Sequence, residues 1–395
     1  MSPKPRPWRH GLLVLLASAV PACAPRPVPA AMPGAPPAVV RAASVIDSVV
    51  FSRPPGERGA DVVGGLSGIT RRGPDGPWLV VSDAHSPARW YQFRFAMANG
   101  RLQVTPGPPT HVRRAVVPDA SPEELDLEAI ASLPDGTILL SAEGGLEVGG
   151  RSPATLLRVR RDGGYVETLP LPEKFLPIDE QHGLRDNLGF EGMTASPDGT
   201  HVWAVAEAPL AQDDEPAGLH RGARSRLVEW VRTAAGFRPG REFVYPIEPS
   251  GVPPGLGDAP TLASQGPVDL AVLPDGELLV MERAFARNPT TRRGANVIRI
   301  FALDLSVADD VSGAVSLREV PDARPVGKRL IVDLADLADQ LDPRLATLAN
   351  FEGMAPGPRT AEGDDTLILV SDDNFVDAQV MAFVLLRLTN APSRE

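Results

Sequence analysis

Glu128, Glu191, Asp269 and Glu352 each stand near the start of an apolar hairpin, at one position of a repeated motif. A second acid closes each hairpin at the same end: Glu143, Glu207, Glu282 and Asp372. An unbroken antiparallel ladder about Asp135-Gly136 sets Glu128 opposite Glu143, and one about Asp275-Gly276 sets Asp269 opposite Glu282. Glu352 and Asp372 centre on a longer loop, while Glu191 faces position 206 with Glu207 one residue beyond. The first copy has Ser67 opposite Asp83 and so lacks the strand-start acid. Carboxylates held this close raise one another's pKa and cannot all ionise without a cation. Calcium, which takes roughly 6–8 oxygen ligands, suits a loosely fixed ring. Zinc does not, because no His or Cys cluster accompanies the acids.

The repeat itself spans 64–83, 125–144, 189–207, 267–283 and 350–374. Each copy is a short apolar strand, a turn and a second apolar strand. Four turns carry Pro-Asp-Gly, where Pro presets φ and Gly takes positive φ. Asp75, Asp135, Asp198 and Asp275 are therefore turn residues rather than ligands. Further strands follow at Arg89–Phe95, Thr155–Arg160, Arg226–Val231, Asn296–Leu303 and Gln379–Leu388. Repeated four-stranded meanders predict an all-β chain, a β-propeller of five blades, or six if 304–345 conceals a degenerate one. Leu334–Leu348 reads as a helical insertion. The last unit is one strand short, and Ser44–Phe51 is placed to close the ring. Because the first strand of each blade lines the central channel, the strand-start acids would form a ring at one mouth.

Composition agrees. Of 395 residues, 37 are Gly and 43 Pro, with 5% aromatics, which disfavours a helix bundle. One cysteine excludes an internal disulfide, a CxxC knuckle and a thiol redox pair. With 39 basic against 50 acidic residues the chain is not built for nucleic acid.

Residues 1–22 read as a signal peptide, with Lys4, Arg6 and Arg9 ahead of the apolar run Gly11–Val20. Cys23 sits where a lipoprotein signal is cut and lipidated; a plain signal with an incidental cysteine is the alternative. Residues 23–42 form a Pro/Ala-rich tether, 43–390 the propeller and 391–395 a tail. Losing 1–22 removes three basic groups and no acids, taking the net charge from −11 to −14. The expectation is an exported body, touching a membrane only through lipid at Cys23.

Phe-Glu-Gly-Met occurs at 190–193 and again at 351–354. With Leu79–Asp83, Ala206-Glu207 before Pro209-Leu210, Met281-Glu282-Arg283 and Leu367–Phe375, these motifs resemble the bacterial family of phytase-like proteins with esterase-like activity. The resemblance runs from Gly64 to Leu388. It implies a secreted or periplasmic propeller and, by kinship with calcium-dependent propeller phytases, hydrolysis of phosphoric esters. Ser67 departs from the ring and moves the cation toward the second, third and fifth repeats. On that reading Glu128, Glu191, Glu352 and Asp269 hold the metal, and Glu207 or Asp372 acts as base. Arg283 and Arg185 grip phosphate oxygens, with Arg287, Arg292 and Arg293 within reach and His85 and His182 as possible acids. No GxSxG elbow is present, so a serine-esterase mechanism is disfavoured. Gly64-Gly65-Leu66-Ser67-Gly68 lacks the Lys-Ser/Thr of a phosphate loop. Two other readings stand beside it. One is a non-catalytic propeller with a structural calcium, binding a glycan, peptide or protein; the other is a sugar-lactone hydrolase.

Overall fold

Each Pro-Asp-Gly triplet turns the chain back on itself. Gly136, Gly199 and Gly276 adopt φ of 84°, 68° and 91°, the left-handed region that favours glycine. The aspartate before each accepts the backbone N–H two residues on, at Thr137, Thr200 and Glu277. In the computed structural model, which describes residues 41–390 apart from 52–61, 74, 85, 114–124, 145, 148–149, 152, 254 and 258–259, these turns join the inner two strands of a blade.

Five four-stranded antiparallel sheets result. From the channel outward, blade one is Leu66–Arg71, Trp78–Ser82, Arg89–Ala98 and Arg101–His111. Blade two is Asp126–Ser132, Ile138–Glu143, Thr155–Val159 and Tyr165–Thr168. Blade three is Phe190–Ala195, His201–Ala206, Ala223–Thr233 and Gly236–Ile247. Blade four is Thr261–Val272, Leu278–Arg287, Gly294–Asp304 and Gly327–Asp333. Blade five is Asn350–Pro356, Thr366–Asp372 and Met381–Asn390, completed by Arg41–Phe51. The expected closing strand is therefore present and three residues longer. It pairs from Arg41 opposite Asn390 to Phe51 opposite Met381, with a bulge at Ile46. Inner strands touch in the order one to five and back to one, closing the ring.

Among the described residues there is no sixth blade. The stretch after Asp304 supplies the outer strand of blade four, and its detour covers the edge of blade three through Val311 N–H to Glu242 O and Val326 N–H to Val244 O. The expected helix at Leu334–Leu348 is two 3₁₀ pieces, Leu334–Gln340 and Pro343–Leu345.

Apolar side chains gather between neighbouring blades rather than in one central core. Leu79, Val81 and Trp90 meet Leu127 and Leu140 between blades one and two. Phe190 and Trp230 meet Leu139 between two and three, and like clusters fill the other seams. Every blade is thus locked by both neighbours, which fixes the inner strands around the axis.

Candidate cation site at the channel mouth

The inner strands share an irregularity that the unbroken ladder does not anticipate. Asp126 faces Glu143 and Leu127 faces Ala142, but the next pair is Ala129 with Ser141, so Glu128 is bulged out. The same bulge extrudes Ser67, Glu191, Val268 and Glu352. The expected pairs are therefore corrected: Glu143 lies opposite Asp126, Asp372 opposite Asn350, Glu282 opposite Pro267, and Leu66 faces Ser82. A bulge sets two residues against one and re-aims a side chain. Here it sends Glu128, Glu191 and Glu352 into the mouth together. In blades one and three the residue after the bulge has no room for a side chain: a Cβ on Gly68 would meet Glu128 O at 2.7 Å, and one on Gly192 would meet Asp269 Cα at 2.7 Å.

Asp269 occupies that second position, not the bulge. Its carboxylate accepts the N–H groups of Leu270 at 2.8 Å and Met354 at 2.6 Å, and those of Met193 and Ile69. It lies 2% exposed on the axis and stitches four blades together. Burial pushes its pKa well up despite those bonds. Glu282 also turns away, taking Tyr245 Oη–H at 2.6 Å and Lys328 Nζ at 2.5 Å.

The acids that do converge are Asp83, Asp126, Glu128, Glu143, Glu191, Glu207, Glu352 and Asp372, which act on one another electrostatically. Oxygens of Asp126, Glu128 and Glu143 lie within 4.8 Å of one another. Burial first, then neighbouring charge, pushes Asp83 up to about 7 and Glu128, Glu191 and Asp372 well above the usual carboxylate range. Burial likewise lifts Glu143 to about 7, against the Gly189 N–H that donates to it at 2.5 Å. Two polar atoms here are buried without a partner: Asp83 Oδ1 and Ser67 Oγ, the latter on a residue 3% exposed.

Blade four, which has Val268 at the bulge, contributes a cation instead. Arg283 Nη1 donates to Glu352 Oε1 and Asn350 Oδ1, both at 2.5 Å. Its Nη2 reaches Ser264 Oγ at 3.2 Å and Glu207 Oε1 at 3.4 Å. Burial lowers the guanidinium's pKa, but Glu352 and Glu207 more than offset this, and it stays charged. Glu207 is raised to about 7 by burial even with Arg283 opposing. Asn350 Nδ2 donates to Glu352 at 2.9 Å and Asp372 at 3.4 Å. The mouth is thus divided. Glu207 and Glu352 are held by Arg283, whereas Glu128 and Glu143 lie among Asp83, Asp126 and Glu191, with Arg89 acting on Asp83 and Arg283 on Glu191 only through their charge.

Of the predicted site, Glu128, Glu191, Glu352, Glu207, Asp372 and Arg283 come together, and Asp269 sits below them. Arg185 does not join. It braces a loop through Pro209 O at 3.1 Å and Asp214 O at 2.7 Å. Arg287, Arg292 and Arg293 are exposed, and exposed His182 pairs with Asp179 at 2.8 Å. His85 and Cys23 lie outside the described residues. Sequence reasoning missed Asp126 and Asn350; each stands two residues before a bulged glutamate, a spacing that signals shared facing on a strand.

No curated protein matches the chain. Solved structures it is similar to include an endo-arabinase from Bacteroides thetaiotaomicron, 10% identical over 85% of this chain and 99% of that one, TM-score 0.38. An α-L-arabinanase from Penicillium chrysogenum is 12% identical over 85% and 80%, TM-score 0.38. A gluconolactonase from Xanthomonas campestris is 12% identical over 91% and 98%, TM-score 0.32. At such TM-scores none of them bears on the argument. The family described as phytase-like, with esterase-like activity of phytase, matches residues 61–375, a span that holds blades one to four, the two inner strands of blade five, both Phe-Glu-Gly-Met strands and the acidic mouth: the chain belongs to this family.

Proposed function

We propose that the protein is an exported, calcium-dependent hydrolase of phosphoric esters, anchored by lipid at Cys23. One observation carries the site. Oxygens of Asp126, Glu128 and Glu143 lie within 4.8 Å of one another, with Asp83 and Glu191 close enough to act on them and, among the described residues, two buried oxygens without a hydrogen bond, Asp83 Oδ1 and Ser67 Oγ. All the donors are oxygens, as a hard cation requires. Asp126, Glu128 and Glu143 would hold calcium, with Asp83, Glu191 and Ser67 completing the set. When bound, calcium supplies positive charge that polarises a phosphoryl oxygen. Asp372 lies beside this set with its proton affinity raised by burial; ionised when the cation is bound, it would take the proton from the attacking water and return it to the departing alkoxide oxygen as the P–O ester bond breaks. Arg283 serves as a counter-charge rather than a phosphate clamp, because Glu352 and Glu207 occupy its fork.

That engagement favours a second reading, a non-catalytic propeller with a structural calcium. Arg89 offers no alternative clamp, being turned inward to Tyr91 Oη at 2.6 Å and Pro87 O at 3.1 Å. Calorimetric titration of chelator-treated protein with calcium, alongside a phosphoester screen, separates the two. Calcium binding lost in Glu128→Gln and Glu191→Gln, with chelator-sensitive hydrolysis, supports the hydrolase. Binding without turnover of any phosphoester or lactone supports the structural site, and no binding by the wild type refutes both.

A further inference from the structure

At the far end of the inner strands lies a pocket of about 930 Å³. It sits among the hairpin turns of all five blades, on the opposite face from the acids. We propose that this pocket is a second ligand site, taking a small organic anion with an apolar body.

The Asp269 carboxylate gathers the N–H groups of Ile69, Met193, Leu270 and Met354 on the axis, and those same four residues form the pocket floor. The volume falls in the range of about 300–1,000 Å³ usual for small-molecule sites. The floor is therefore apolar and, through its two methionines, adaptable to ligand shape. Around it stand Pro134, Pro197, Pro274, Pro356 and Pro358, which have no N–H to offer. A ligand body facing these walls gains from leaving water and finds few polar partners.

One wall differs. Arg71 lines the pocket, half-buried, with its guanidinium 4.4 Å over the Trp78 ring. Its Nη1 donates to Gly357 O at 3.3 Å, while its Nε is buried with no partner. Other cations at this rim are neutralised: Arg359 pairs with Asp365 at 3.2 Å, and Arg41 with Glu277 at 2.8 Å and with Asp275. Arg71 has no such pair among the described residues. Asp75 is near enough to favour its charged form, but burial outweighs that and lowers the pKa. A partly desolvated cation whose nearest acid, Asp75, makes no contact ion pair with it is costly, and an anionic head group on the ligand reduces that cost. A cationic or wholly neutral apolar ligand would leave Arg71 as it is, so the charge selects an anion.

The probes are 8-anilinonaphthalene-1-sulfonate, read by fluorescence, and dodecanoate against dodecylamine as competitors, with the full mature chain. Saturable one-to-one dye binding is expected, displaced by dodecanoate and at least tenfold less well by dodecylamine. Arg71→Met should weaken the dye at least tenfold, Arg71→Lys much less, and Ala271→Trp should abolish binding by filling the pocket. Added calcium should leave the dye affinity unchanged. Absence of saturable binding by the wild type overturns the proposal. So does equal competition by the amine, an Arg71→Met affinity equal to wild type, or loss of the dye on adding calcium. If Arg71→Met fails to fold, the competition between anion and amine on the wild type still decides.

Discussion

Replacing Arg283 with Met separates the two halves of the acidic mouth experimentally. Methionine keeps an unbranched apolar stem but removes the charge that Glu352 and Glu207 share, at 2.5 and 3.4 Å. Both acids are buried, 9% and 2% exposed, so neither regains water when the guanidinium goes. Removing one partner of a buried pair costs roughly 3–5 kcal/mol. Protonation of Glu207, already pushed to about 7, offsets part of this below neutrality. In chelator at pH 8 the melting temperature should fall by up to about 10 °C, taking roughly 2 °C per kcal/mol for a domain of this size. Calcium should then stabilise the variant more than the wild type, because Glu207, Glu352 and Asp372 become a second cluster without an internal cation. A ligand at a hundred to a thousand times its Kd contributes about 2.7–4.1 kcal/mol, enough to offset most of the loss. Thermal melts in chelator and in calcium, with calorimetric stoichiometry, give both quantities. A variant that melts like wild type in chelator, or whose calcium stoichiometry and stabilisation are unchanged, refutes this division of the mouth.

The metal-free protein should lose stability as pH rises from 5 to 8. Asp83, Glu143 and Glu207 hold protons up to about 7 when folded, against about 4 when unfolded, so each adds stability below 4 that is lost through 7, about 1.4 kcal/mol per pH unit per proton. Calcium should flatten that slope; a stability that instead climbs with pH contradicts the burial of these acids. Asp269→Ala strands four backbone N–H groups on the axis, each costing about 1–3 kcal/mol, and should leave little folded protein by circular dichroism, whereas a melt within 3 °C of wild type would show that the carboxylate is dispensable. A chain beginning at residue 55 loses the strand Arg41–Phe51 and exposes the edge of blade five, so it should melt well below one beginning at 41, and matching melts would mean the ring does not need closing.

The blades were legible because turn and period speak locally. Pro-Asp-Gly names its own conformation, and alternating apolar residues name a strand, so five hairpins and the closing strand, read as Ser44–Phe51, could be found without any long-range information. The ring of acids was half legible for the same reason. Glu128, Glu191 and Glu352 recur in register, but register counted from a turn assumes an unbroken ladder, and the bulge before Gly68, Ala129, Gly192 and Gly353 breaks it. That bulge follows from five inner strands converging on one axis, a constraint that no single hairpin reports. The error was costliest at Asp269. Counting placed it with the glutamates, whereas it stands one residue along, where the other blades have room only for Gly or Ala. Arg185 failed differently: its neighbours in sequence are near the mouth, but its partners are carbonyls of a loop 24 and 29 residues on.

Blade four departs from the repeat twice, and the two departures belong together. A five-fold ring with an acid at every bulge and glycine behind it would be open along its axis. Val268 removes one carboxylate from the mouth, and Arg283, on the neighbouring strand of the same blade, replaces its negative charge with a positive one. Asp269 then puts into the axis the carboxylate that the mouth has lost, where backbone N–H groups from blades one, three, four and five satisfy it. The mouth gains asymmetry, which separates the acids held by Arg283 from those left facing one another. The axis gains a closed floor, which separates that mouth from the apolar pocket beneath. Because one blade does both, Arg283→Met and Asp269→Ala should differ in kind. The first should change how many cations bind while the channel stays closed; the second should fail in folding before any cation is tested.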